Sequence, residues 1–100
     1  MKHKKIIKRG NGKQFQINVR VYEFMECFHY GINVVTREKG KRKWNDIPRQ
    51  IPEWNWRRLS MEDRRRSDDK NTLRFVSLEE IHAAKIEAWE SLKPKPTKED

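Results

Sequence analysis

A single cysteine, Cys27, leaves no internal disulfide framework and no cysteine-based zinc motif. His3, His29 and His82 are scattered, without HxxxH or HExxH spacing, so the histidines carry no metal signature either. Gly10-Asn11-Gly12 lacks the spacing of a phosphate loop, and no stretch resembles a nucleophile elbow. The paired acids Glu62-Asp63, Asp68-Asp69 and Glu79-Glu80 are neighbours in sequence, which diverge by about 100° on a helix and do not chelate one ion. These absences argue against an enzyme, and the expectation is a protein without catalysis, cofactor or metal. Long apolar runs are missing as well. None approaches the ~18 residues of a membrane span, and the basic start MKHKKIIKRGNGK lacks the apolar stretch of a signal peptide. The expected setting is soluble, reducing and cytoplasmic, with no membrane partner.

Apolar residues are also scarce, at 34% of the 100 residues, against ~45–50% in typical globular chains, whereas charged residues reach 39%. One small core is the most such a chain builds, and its four Trp, four Phe and two Tyr are the natural material for it.

What is abundant is positive charge, with a net value of +9 concentrated in the first half. Lys2, Lys4, Lys5, Lys8, Arg9 and Lys13 have no acid among them, and Arg37, Lys39, Lys41, Arg42, Lys43 and Arg49 are opposed only by Glu38 and Asp46. The arginines of residues 53–70 are nearly balanced by acids.

The pattern predicts a small α+β domain over 1–93: an antiparallel sheet of three or four strands from the N-terminal half, packed by a C-terminal amphipathic helix, with a flexible tail over 94–100. In QFQINVRVY, Phe15, Ile17, Val19 and Val21 alternate with Gln14, Gln16, Asn18 and Arg20, the signature of a strand with one wet face. The RGNGK stretch before it suggests a turn from a short first strand. Phe28, Tyr30, Ile32, Val34 and Thr36 alternate again, and TREKGKRKW supplies a turn toward Trp44 and Ile47. The link EFMECF has no turn-forming residue, so VYEFMECFHYG also reads as a short helix stopped by Gly31.

Pro48 and Pro52 suggest an extended crossover through DIPRQIPEWNW, and Ser60 starts a short polar helix in which Arg64-Asp68 and Arg65-Asp69 pair at i,i+4. Ser77 and Glu80 form a capping box, with Val76 and Ile81 at the staple positions. Leu78, Ile81, Ala88, Trp89 and Leu92 then form an apolar face, with Trp89 in the core or at its edge and Lys85 snorkelling from it.

Two surfaces are candidate sites. Lys39, Lys41, Arg42 and Lys43 on the expected hairpin turn, beside Trp44 and joined by Lys8, Arg9 and Lys13, suit the phosphates of DNA or RNA. Trp54 and Trp56, two apart and on one face if the chain is extended, with Arg57 and Arg58 following, read either as a stacking platform for bases or as core. The favoured function is a non-catalytic basic protein that binds nucleic acid, or a complex containing it, through the sheet tip. One alternative is an inhibitor or accessory protein, of the kind a virus encodes against host defence, that blocks the acidic or nucleic-acid-binding surface of a nucleic-acid-processing protein. Another is a structural subunit of a larger assembly, with the tryptophans as anchors.

Overall fold

The computed structural model describes residues 1–92, and the tail expected over 94–100 lies outside them. Strands β1 (Lys2–Lys8), β2 (Lys13–Phe24), β3 (Cys27–Glu38) and β4 (Asn45–Asp46) form one antiparallel sheet in chain order. Helices α1 (Glu53–Arg58), α2 (Met61–Thr72) and α3 (Leu78–Leu92) follow, so the small α+β architecture read from the sequence is the observed one.

The alternation in β2 sets the two sides of the sheet. Phe15, Ile17, Val19 and Val21 are buried, and the register places Ile7 of β1 opposite Phe15 and Val34 of β3 opposite Ile17, so three strands contribute to one apolar layer. Against it α3 lays Ile81, Ala84 and Ala88. Both alanines are fully buried, so the centre of the helix face that meets the core is filled by methyl groups.

This packing corrects the face expected for α3. Leu78, expected on the buried side, is 58% exposed, whereas Trp89 takes the core-edge place, half-buried and packed edge-on against Phe28 at 5.3 Å between ring centroids. The physical reason is room: close approach of helix to sheet selects small residues at the centre and moves a large ring to the rim. Lys85 keeps its stem at this boundary and directs its ammonium over the Tyr30 ring, 5.7 Å from the centroid.

Residues 22–30 form the end of a β-hairpin and not a helix. Met25 (φ 51°) and Glu26 (φ 63°) turn the chain between β2 and β3, both in the left-handed region of a two-residue hairpin loop. Neither residue favours that region, so the register of the strands, with Val19 opposite Ile32 and Val21 opposite Tyr30, imposes it. At the opposite end of the sheet Gly12 (φ 84°) and Gly40 (φ 88°) take the same region without a Cβ penalty.

The crossover is not extended throughout. Pro52 opens α1, its carbonyl accepting from Asn55 and Trp56 N–H at 3.0 Å each, and a proline is well placed where a helix start needs no amide donor. Trp54 and Trp56 are therefore helical and point in different directions, which overturns the shared face expected of them. Ser60 caps α2 as expected, accepting from Asp63 N–H at 3.1 Å. The i,i+4 pairs expected along α2 are replaced: Asp68 accepts from Arg49 at 3.0 Å, and Arg64 reaches back to the carbonyls of Trp56 and Arg57. Asn71, the buried residue of α2, donates to Pro48 O at 2.9 Å and ties the helix to the chain leaving β4.

Charge pairs complete the seating of α3. The Arg9 guanidinium donates to Glu80 Oε1 (2.6 Å), Glu80 Oε2 (2.9 Å) and Phe75 O (3.0 Å). Glu80 is also the acid of the capping box, with Ser77 N–H on its Oε1 at 2.8 Å and its own N–H on Ser77 Oγ at 3.1 Å. Further along, Lys5 donates to Glu87 at 2.9 Å and His3 lies 3.5 Å from the same carboxylate. The Arg9 hydrogen bonds hold the Glu80 carboxyl below its ordinary value of 4.5 despite the opposing effect of burial, and Lys5 does the same for Glu87.

Three outcomes are expected for stability. Replacing Met25-Glu26 by Asn-Gly should raise the urea midpoint by the equivalent of roughly 1–2 kcal/mol, because the turn then needs no disfavoured backbone. Ala84→Leu should cost about 1–3 kcal/mol by overpacking, measured in the same titration. Because the folded-state values of Glu80 and Glu87 are lowered, their contribution is fully present above pH 4.5 and is lost as pH falls through the folded values. Unfolding titrations across that range should therefore show a shallower acid decline for Glu80→Gln than for the parent chain.

Candidate nucleic-acid interface

The period of two divides the basic first strand between two tasks. His3, Lys5 and Arg9 lie on the side of α3 and meet its acids, whereas Lys2, Lys4 and Lys8 register with Arg20, Asn18 and Gln14 on the opposite face. Arg9, a candidate partner-binding residue, is thus engaged within the fold, while Lys8 and Lys13 are exposed.

Antiparallel order brings the β1–β2 and β3–β4 turns to the same end of the sheet. Lys13 pairs with Glu38, and Lys39 N–H donates to Gly12 O at 2.8 Å, so the two turns are hydrogen-bonded side by side. Lys41 N–H closes the second turn on Glu38 O at 3.0 Å. The result gathers Lys13, Lys39, Lys41, Arg42 and Lys43, all exposed, around one end. A cleft of about 550 Å³ there is walled by Lys13, Arg37, Lys41, Arg42 and Lys43, floored by Phe15 and Phe75, and includes the single acid Glu38. Of the N-terminal candidates, Lys13 lines this cleft, whereas Lys8 is exposed without lining it and Arg9 is withdrawn to Glu80.

Trp44 joins this end to the uncovered face. Its ring lies under the Arg37 guanidinium at 4.1 Å from the centroid, and Arg37 is itself held by Gln14 Oε1 at 3.0 Å and Arg42 O at 3.4 Å. Trp44 then borders a second groove, also about 550 Å³, with Lys2, Lys4, Arg20, Gln16, Asn18, Asn33 and Val35. Gln16 is only 6% exposed on a face without a covering helix. Among the described residues, Asn18 Oδ1 and Trp56 Nε1 are the buried side-chain polar atoms without a hydrogen-bond partner. At the far end of this face Tyr22 and His29 stack at 5.5 Å with an interplanar angle of 21°.

Reading from sequence passes over Gln14, Gln16, Asn18, Asn33, Arg20 and Arg37 as site residues. The signal is nevertheless there: the wet positions of β2 carry amides and an arginine, where an ordinary solvent face mixes Lys, Glu and Thr.

The α1 residues form a separate group. Trp54 is 63% exposed with Arg58 over its ring at 5.5 Å, and Arg57 pairs with Glu53 at 3.0 Å. Trp56 is half-buried with two guanidiniums over its ring, Arg49 at 3.9 Å and Arg64 at 4.7 Å, and so serves as the joint between α1, α2 and the crossover. Trp54, Trp56, Arg57 and Arg58 line neither the cleft at the sheet end nor the groove on its face.

Among the described residues no group of three His, Cys, Asp or Glu side chains is placed to hold a metal ion, and no helix is long and apolar enough to cross a membrane. No protein family, curated protein or solved structure matches the chain in sequence or fold.

Proposed function

We propose that this is a non-catalytic nucleic-acid-binding protein that neutralises backbone phosphates with the basic end of its sheet. The observation that carries this reading is the hydrogen-bonded pair of turns that sets Lys39 beside a cleft lined by Lys13, Lys41, Arg42 and Lys43, with Glu38 as the single acid in its lining. Phosphate contacts of this kind give affinity that falls steeply with salt and carries little base preference.

One observation favours a second reading, a protein-binding accessory or inhibitor that occupies the nucleic-acid site of another protein. The β2–β3 hairpin ends in Phe24, 60% exposed, and Met25, 80% exposed, beside Glu23 and Glu26, a surface suited to a protein and not to a polyanion.

Substituting Lys39, Lys41, Arg42 and Lys43 together by Ala should weaken binding to labelled nucleic acid and flatten the slope of log K against log salt by about 3–4 units for a duplex. Arg65→Ala with Arg66→Ala should change that slope little. The opposite ranking would place the site elsewhere, and the absence of binding at low salt would favour the protein-partner reading.

A further inference from the structure

We propose that the uncovered face of the sheet takes unpaired bases, making the preferred ligand single-stranded nucleic acid and not a duplex. The inference rests on the nucleic-acid reading above and adds to it a second contact zone, continuous with the basic end through Arg37 and Trp44.

Charge comes first. The residues of β1, β2 and β3 that register on this face include Lys2, Lys4, Lys8, Arg20 and Arg37 and no acid, and Asp46 of β4 stands at its edge. These cations flank a floor of amides: Gln16, Asn18 and Asn33 line the groove, with Asn18 directly opposite Asn33 in the register. A carboxamide offers both a donor and an acceptor, the pairing equipment that the edge of a base requires. Asn18 Oδ1 is a buried acceptor without a partner, and a turn of its carboxamide toward the groove would let a base N–H, such as the N3–H of thymine or uracil, supply the missing donor.

Stacking surfaces stand at both ends of the floor. Trp44 borders the groove and is held by Arg37, while Tyr22 and His29 stack on one another farther along the same face. Aromatic rings of this kind accept any base. A duplex cannot use these features, because its bases are already paired and stacked. A face three strands wide, with strands ~4.8 Å apart, also exceeds the two-stranded ribbon that the ~12 Å major groove admits.

The test titrates the full chain with labelled oligothymidine and oligouridine of about 12 nucleotides and with a duplex of the same length, at fixed salt. Single strands are expected to bind roughly tenfold or more tightly than the duplex. Trp44→Ala should weaken single-strand binding by about fivefold or more while Trp44→Phe preserves it, and in Trp44→Ala duplex binding should fall by less than single-strand binding. Lys4→Glu, an exposed position, tests the same face without touching the core. In NMR spectra of the parent chain the side-chain amide signals of Gln16, Asn18 and Asn33 should shift on adding oligothymidine. Equal affinity for duplex and single strand, or unchanged single-strand binding in both Trp44→Ala and Lys4→Glu, overturns the proposal. If the Lys39, Lys41, Arg42 and Lys43 substitutions still reduce binding in that case, the basic-end reading survives alone. Failure of every probe to bind at low salt sinks both.

Discussion

The bidentate contact between Arg9 and Glu80 is the constraint on which the arrangement of layers depends. Glu80 both caps α3 through Ser77 and anchors it to the end of β1, so the start of the helix and its place on the sheet are set by one carboxylate. The geometry is the planar fork that only an arginine provides, and a lysine here would lose one of the two bonds to the carboxylate as well as the contact to Phe75 O. With the helix start fixed, the Lys5–Glu87 pair aligns the rest of it, and the two buried alanines lie over β1 and β2. In a chain with so few aliphatic residues, the apolar layer is thin, and partly buried ion pairs at its border supply the direction that a larger core would supply by shape.

How much of this was legible depended on whether local chemistry and tertiary packing agreed. The strand over residues 14–22 and the capping box at Ser77 were readable because period and hydrogen-bonding residues point to the same outcome. The turn at Met25-Glu26 was ambiguous for the opposite reason: nothing in the two side chains asks for a turn, and long-range pairing forces one. At α1 the prolines suggest extended chain, yet Pro52 stands at the helix start where its missing N–H is harmless. Core and rim were both open for Trp89 because its helical spacing fits either, and only the burial of Ala84 and Ala88 at the centre assigns it to the rim.

For the candidate site, the basic composition was visible and its division was not. Whether a lysine of β1 is structural or free is decided by the parity of its position, which requires knowing that α3 covers one face and presents Glu80 and Glu87 to it. The convergence of the two basic turns follows from antiparallel order alone, and so was within reach of sequence reasoning. The amide-rich face was within reach too, because Gln14, Gln16 and Asn18 at the wet positions of β2 are a composition unlike that of an ordinary solvent face.

The two hairpin ends differ in a way that affects how the molecule meets any polyanion. The strands β2 and β3 are 12 residues each, which separates their ends by roughly 40 Å at ~3.3 Å per residue. Positive charge is gathered at one end, and Glu23 and Glu26 lie at the other, so the protein carries an electric dipole along its strands. In the field of a polyanion such a dipole experiences a torque before contact. If the proposed ligand is such a polyanion, first encounter would set the lysines foremost and make Phe24 and Met25 the last part of the hairpin to approach it.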